Sequence, residues 1–250
     1  MFTDLPTPLA HCTCLFYDVV DVFLDLPTPL AHWPLNQQHQ LNDISGNDLH
    51  FELLNGNINT SVDPLNGQEF IYMDDTFQGR VNHAGALTLT GDYTIFFAYS
   101  NRRNGLVFAF AGDSTTSRGL SVYAHNNLWY FNLLCKNPTC TEHSFGRGYF
   151  FRDSVWNYAA ITFDSATLTV RLWRNGQLFS ENSVAGTAAS STTHDNLFIG
   201  YHDSETSSFK YQPTAPGRLA CLQIYDQQLR AIQIQKLILQ CQGKTSFEGT

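Results

Sequence analysis

The sequence predicts an all-β fold, an antiparallel β-sandwich closed by one short C-terminal helix. Three observations predict it. From Trp33 onward, strand-like apolar runs alternate with Gly, Asn and Asp turns at spacings of roughly 8–12 residues. Outside one stretch near the C-terminus there is almost no helical periodicity. The composition is 43% hydrophobic and 14% aromatic but only 14% charged, with Asn, Ser, Thr and Gln supplying the polar surface. That profile argues for a packed core and suits a secreted β-protein better than a helical cytosolic enzyme. A chain of 250 residues can form such a sandwich as one domain.

The first 32 residues read as a separate N-terminal extension. Asp4–His11 and Asp25–His32 carry the same octapeptide, Asp-Leu-Pro-Thr-Pro-Leu-Ala-His. The apolar run between them is interrupted by Asp18 and Asp21, and no Lys or Arg precedes Arg80, so it is not read as a signal peptide. Residues 33–241 are assigned to the sandwich and residues 242–250 to a polar tail.

Within the sandwich, Asp92–Ser100 alternates, with Tyr93, Ile95, Phe97 and Tyr99 on one face. Asn104-Gly105 leads into Leu106–Phe110, and Gly119–Tyr123 is followed by Leu128–Leu134. The clearest hairpin joins Leu168–Arg174 to Gln177–Ser180 through Asn175-Gly176, a pair that accepts the positive φ angles of a type I′ turn. Between Gln227 and Cys241, Leu229, Ile232, Ile234, Leu237, Ile238 and Cys241 form an approximately helical stripe, which predicts the closing helix.

Charge and cysteine usage narrow the setting. Lys plus Arg number 14 against 22 Asp plus Glu, a formal net charge of −8, and without a basic cluster the chain would repel a phosphate backbone. No apolar stretch reaches the roughly 18–20 residues that span a bilayer. Cys135 and Cys140 flank an Asn-Pro turn and are placed for a local disulfide. Cys221 in a strand-like run and Cys241 at the end of the helical stripe form a second pair, which would pin the helix to the sheet for about 3 kcal/mol. Both pairings imply an oxidising, extracellular compartment, and six reduced buried thiols are the alternative. Asn59-Thr60-Ser61 is a glycosylation sequon. Cys12 and Cys14, outside the sandwich, are candidates for crosslinking chains into an oligomer.

Four stretches together resemble the laminin-G-like/concanavalin-A-like lectin superfamily, including the pentraxin-like domains of invertebrate extracellular proteins. His32-Trp33-Pro34 with Leu41–Asp48 resembles its opening strand and Asp-x-Ser-Gly-Asn turn, and Gly91–Phe97 its Phe-Thr-Ile core strand. Trp156–Asp164 followed by Leu172–Gly176 is similar to its Trp-x-x-Val-Ala and Tyr-Val-Asn-Gly hairpin. Asn196–Gly200 and Gly217–Asp226 resemble the closing strands before the last helix. The resemblance implies a jelly roll with ligand or calcium held by rim loops or on the concave sheet, and places Trp33 and Trp156 in the core. It does not choose among lectins, adhesion modules, pentraxins and hydrolases.

The residues themselves weigh these classes. A retaining glucanase on this fold would need a Glu-x-Asp-x-x-Glu strand, whereas no two of the six glutamates here are closer than 17 positions. The expectation is therefore a non-enzymatic module. Calcium, as a cofactor, would take oxygen ligands from acidic loops, and Asp113 and Asp203 lie in loops loosely similar to those that hold it in some laminin-G domains. Asp74-Asp75 forms a third acidic turn, and the Glu-x-Asp cluster of pentraxins is missing. Sugar binding needs an aromatic face beside polar hydrogen-bonding groups, for which Trp129, Tyr130, Trp173 and Asn175 are the candidates. Two partner classes stay open: glycans, bound with or without calcium, and extracellular proteins.

Overall fold

A computed structural model describes residues 25–82, 87, 89, 91–100, 105–111, 118–125, 128–133, 143–144, 155–183, 196–200 and 216–244. In chain order the strands are β1 Ala31–Trp33, β2 Glu52–Asn55, β3 Asn59–Val62, β4 Glu69–Met73, β5 Gln78–Asn82, β6 Tyr93–Ser100, β7 Gly105–Ala111 and β8 Arg118–His125. They continue with β9 Leu128–Leu133, β10 His143–Ser144, β11 Asn157–Asp164, β12 Thr169–Arg174, β13 Gln177–Ser183, β14 Asn196–Gly200 and β15 Gly217–Tyr225, and helix α1 spans Ala231–Cys241.

All the pairings are antiparallel, and they form two sheets. One runs β13-β12-β11-β6-β15-β4-β3, with β1 added on β15, and the other runs β10-β9-β8-β7-β14-β5-β2. Their facing sides share one apolar core: Tyr93, Ile95, Phe97 and Tyr99 from β6 join Val107, Phe108 and Phe110 from β7. Across the gap the Phe97 ring meets Phe108 edge-on at 5.1 Å. Trp33 is fully buried there, meets the Phe51 ring in a tilted contact at 4.8 Å and donates its indole N–H to the Leu49 carbonyl at 2.7 Å. This is a jelly-roll sandwich of the expected class.

The alternation of β6 is real, yet both of its faces are buried. Phe96 and Ala98 point away from the sandwich into a second cluster with Tyr158, Ala160, Tyr225, Leu229, Ile234 and Leu237. Helix α1 covers this outer face. Its buried stripe is Ile234 and Leu237, with Ile238 and Cys241 partly buried beside it. The helix starts later than the predicted stripe. Leu229 lies in the connection, its N–H bonded to the Thr94 hydroxyl at 2.8 Å, and Ile232 is exposed.

The β12–β13 hairpin turns as its sequence predicts, with positive φ at both Asn175 (51°) and Gly176 (79°). Gly200 is required sterically: a Cβ there would sit 2.2 Å from the Phe77 carbonyl oxygen, and its φ is 76°. Cys221 and Cys241 are disulfide-bonded, so the end of α1 is tied to β15 as the sequence suggests. Cys12, Cys14, Cys135 and Cys140 lie outside the described residues. Strand β1 opens at Ala31, two residues ahead of the Trp33 boundary, and Leu26 already packs under α1. Among the described residues no helix is long and apolar enough to cross a membrane.

Candidate functional site

The eight-stranded sheet is broken at one place. Strand β15 pairs with β6 along one edge, from Arg218 opposite Ser100 to Tyr225 opposite Thr94. Its other edge is shared end to end by two short strands. Gly217–Leu219 pairs with β4, and Leu222–Ile224 pairs with β1. Between them Cys221 adopts a left-handed φ of 53° at the β15 bulge and donates its N–H to the Pro34 carbonyl. A bulge there re-aims side chains and ends the ladder.

A cleft of about 350 Å³ opens over this break. Its walls are His32 in β1 with Pro34, Asn36, His39 and Ile44 after it, Gly67, Gln68 and Glu69 entering β4, and Gln240 to Gly243 at the end of α1. Cys221, Gln223 and the bonded Cys241 complete it. The lining is rich in carboxamides. Gln223 is a polar residue in the buried run Leu219–Tyr225 of β15, and its Oε1 accepts the Tyr225 hydroxyl at 2.5 Å, leaving the amide N–H groups to donate. Gln68 is buried and its Nε2 donates to the Glu69 carbonyl at 3.0 Å.

One wall is held by the Asp-x-Ser-Gly-Asn turn. The buried Asp43 carboxylate accepts four bonds, from the backbone N–H of His32 (2.8 Å), Ser45 (2.9 Å) and Leu49 (3.1 Å) and from the Ser45 hydroxyl (2.8 Å). Burial pushes this carboxyl up, but the donors win and hold it below the usual carboxylate range. The motif is thus a scaffold that fixes His32 at the cleft. Burial also lowers the His32 imidazole to about 4, against the pull of Asp43, so it is neutral at neutral pH.

The opposite flank is braced by Asp63. Its carboxylate takes the Trp156 indole N–H at 3.0 Å and the Arg218 guanidinium at 2.7 Å, and Arg218 also lies over Phe70. Trp156 is half-buried against Phe70 in the helix-side cluster, not in the sandwich interior where the resemblance placed it.

Of the residues singled out from the sequence, Trp173 and Tyr130 lie in different sheets, on β12 and β9. Trp173 is half-buried at the margin of the helix-side cluster and gives its indole N–H to Thr162 Oγ1 at 3.1 Å. Asn175 is engaged in its turn, bonding both backbone groups of Tyr158. Tyr130 lies in the other sheet, in parallel contact with its cross-strand partner Tyr123 at 4.8 Å. Trp129 takes its place in the β9 backbone opposite Ala124. Asp113 and Asp203 lie outside the described residues. Asp74 caps its own turn through the Thr76 hydroxyl and N–H. Among the described residues no group of three or more His, Cys, Asp or Glu side chains could hold a metal ion. Asn59 is exposed at the start of β3, opposite Tyr72.

Sequence reasoning missed the cleft residues. The available signal was Gln223 between Leu222 and Ile224, a carboxamide in a run that otherwise reads as buried strand.

Two antiparallel sheets around one core, a helix backing one of them and a side-chain-lined cleft at a sheet break define a jelly-roll sandwich. The chain belongs to the concanavalin A-like lectin/glucanases superfamily, whose Laminin_G_3 family model matches residues 74–235, more than half of the sequence. No curated protein matches the sequence. Among solved structures, the binding domain of Paraclostridial Mosquitocidal Protein 1 is similar at a TM-score of 0.63 and 13% identity, covering 85% of this chain and 52% of that one. The binding domain of botulinum neurotoxin DC is similar at a TM-score of 0.60 and 14% identity, over 86% of this chain and 52% of that one, both in complex with rat synaptotagmin II and in complex with SialylT. The chain therefore spans about half the length of these domains, and at such identities the likeness is one of fold.

Proposed function

We propose that this chain is an extracellular, non-catalytic binding module that recognises glycans in the cleft at the break of the eight-stranded sheet. The observation that carries the reading is the lining: carboxamides, the imidazoles of His32 and His39 and the Glu69 carboxylate converge on a pocket of about 350 Å³. Side chains that both donate and accept are what a polyhydroxylated ligand needs. The volume is near the lower end of the roughly 300–1,000 Å³ usual for small-ligand sites, so it suits a terminal sugar or a short saccharide.

The non-catalytic part rests on the placement of the carboxylates. Among the described residues, Glu52 on β2 is paired with Arg80 and Glu181 on β13 with Arg171, neither lining the cleft, and Glu69 is the one carboxylate of its lining. Binding domains among the structural neighbours, one of them in complex with SialylT, support recognition as the role of this frame. Glycosylation of Asn59 and passage through an oxidising compartment belong to the same proposal, supported by the Cys221–Cys241 bond and the exposure of Asn59.

A glycan array probed with the intact chain, with calcium and with a chelator, tests the reading. Binding that survives the chelator and is lost on filling the cleft rim with Gln240→Trp is the expected result. Binding abolished by the chelator moves the site to the acidic loops of Asp113 and Asp203. A folded sample that binds no glycan refutes the proposal.

The second reading, a protein-interaction module, is favoured by one feature. Edge strand β13 is exposed along most of its length and carries Leu178 and Phe179 at 50% and 40% exposure. An open edge of this kind can accept a strand from a partner.

A further inference from the structure

Resting on the glycan reading, we infer that the cleft is selective for uncharged sugars and discriminates against those bearing a carboxylate. The inference is electrostatic and comes from which groups face the cavity. Among the described residues of the lining, Glu69 is the one carboxylate, its Oε2 accepting the Gln37 N–H at 3.2 Å; two imidazoles, His32 and His39, line the cleft with it, and no Lys or Arg does. The opposite rim is Gln240 to Gly243, the C-terminal end of α1, where the helix macrodipole places about half a negative charge. No basic residue lies in the last turn of that helix. Lys244, one residue past Gly243, is outside the lining. Burial keeps His32 uncharged at neutral pH, so it offers a hydrogen bond without a positive charge.

An acidic sugar would therefore meet one full and one partial negative charge and no Lys or Arg among the described lining residues. A neutral sugar meets hydrogen-bonding carboxamides and no such opposition. Of the cleft lining only Cys221 and Gln223 fall within the residues 74–235 that match the family, while both rims come from segments outside that span.

The test uses a neutral oligosaccharide and the same compound carrying a terminal sialic acid, titrated into the intact chain at low and physiological salt. The neutral compound is expected to bind about tenfold or more tightly, with the gap narrowing as salt rises. In Glu69→Gln, which keeps the shape and an acceptor oxygen, the acidic compound should gain several-fold and the selectivity shrink. Gln240→Lys, on the exposed rim, should shrink it by a second route, with a thermal melt confirming that each variant is folded. Equal or tighter binding of the sialylated compound by the unaltered chain overturns the inference while leaving glycan recognition intact. Binding of neither compound overturns the glycan reading itself, and this inference with it.

Discussion

The two edges of β15 show two ways of using a strand. Along β6 the ladder runs the length of the strand, broken only at the bulge, and apolar side chains fill both faces. Along the other edge β1 and β4 each cover three residues, and the gap is spanned by side chains, a left-handed cysteine and a disulfide. Where backbone groups pair with each other the sheet is frame, because nothing polar is left over. Where they do not, polar side chains must serve the interruption, and those same groups can serve a ligand.

Phe97→Ala on the continuous side removes a fully buried ring and should cost about 4 kcal/mol in denaturant melts. A loss under about 1.5 kcal/mol would mean that the core at Phe108 collapses to fill the cavity. On the interrupted side, Cys221→Ser with Cys241→Ser should cost about 3 kcal/mol, since the bridge closes a loop of 20 residues. Hydrogen exchange should then rise first in α1. Exchange rising uniformly would break the idea that this edge depends on the bridge.

His32 supplies a pH signature confined to the interrupted edge. Its value falls from 6.5 in the unfolded chain to about 4 when folded, so between these the unfolded state binds the extra proton. Its contribution is fully present above about pH 6.5 and is lost as pH falls to about 4, up to about 3 kcal/mol. The lowered Asp43 carboxyl adds a separate loss at lower pH, as it protonates below the usual carboxylate range. Chemical denaturation across pH 4–7 should slope in the wild type and flatten over that window in His32→Gln. The smallest effect is expected at the sheet margin, where Arg171→Gln breaks the partly exposed ion pair with Glu181 for about 0.5 kcal/mol. A larger loss there would show that β12 and β13 depend on their charges more than on Val170 and Leu172.

Much of the frame was legible because it is written in local patterns. The alternation of Tyr93 to Tyr99 and the Asn175-Gly176 turn are visible in short windows, and each took its expected form. Strands β2 to β5 were not read. Glu52–Asn55 and Asn59–Val62 are mostly exposed four-residue strands, and neither shows the apolar alternation that marks a half-buried strand. The candidate site fared differently. Residue chemistry alone does not separate a binding group from a structural one: the Trp173 indole donates to Thr162 and the Asn175 carboxamide accepts from Tyr158.

By itself the sequence determined the class of fold, the terminal helix and the partnership of Cys221 with Cys241, since periodicity, turn residues and cysteine placement act over short distances or through covalent bonds. Only the tertiary structure decided that β6 is buried on both faces and that Asp43 is a scaffold. It alone brought His32, Gln68, Gln223 and the end of α1 to one cleft. The physical reason is sequence separation. Those residues meet through sheet order, in which β1 and β4 share one edge of β15, and no local pattern encodes which strands become neighbours.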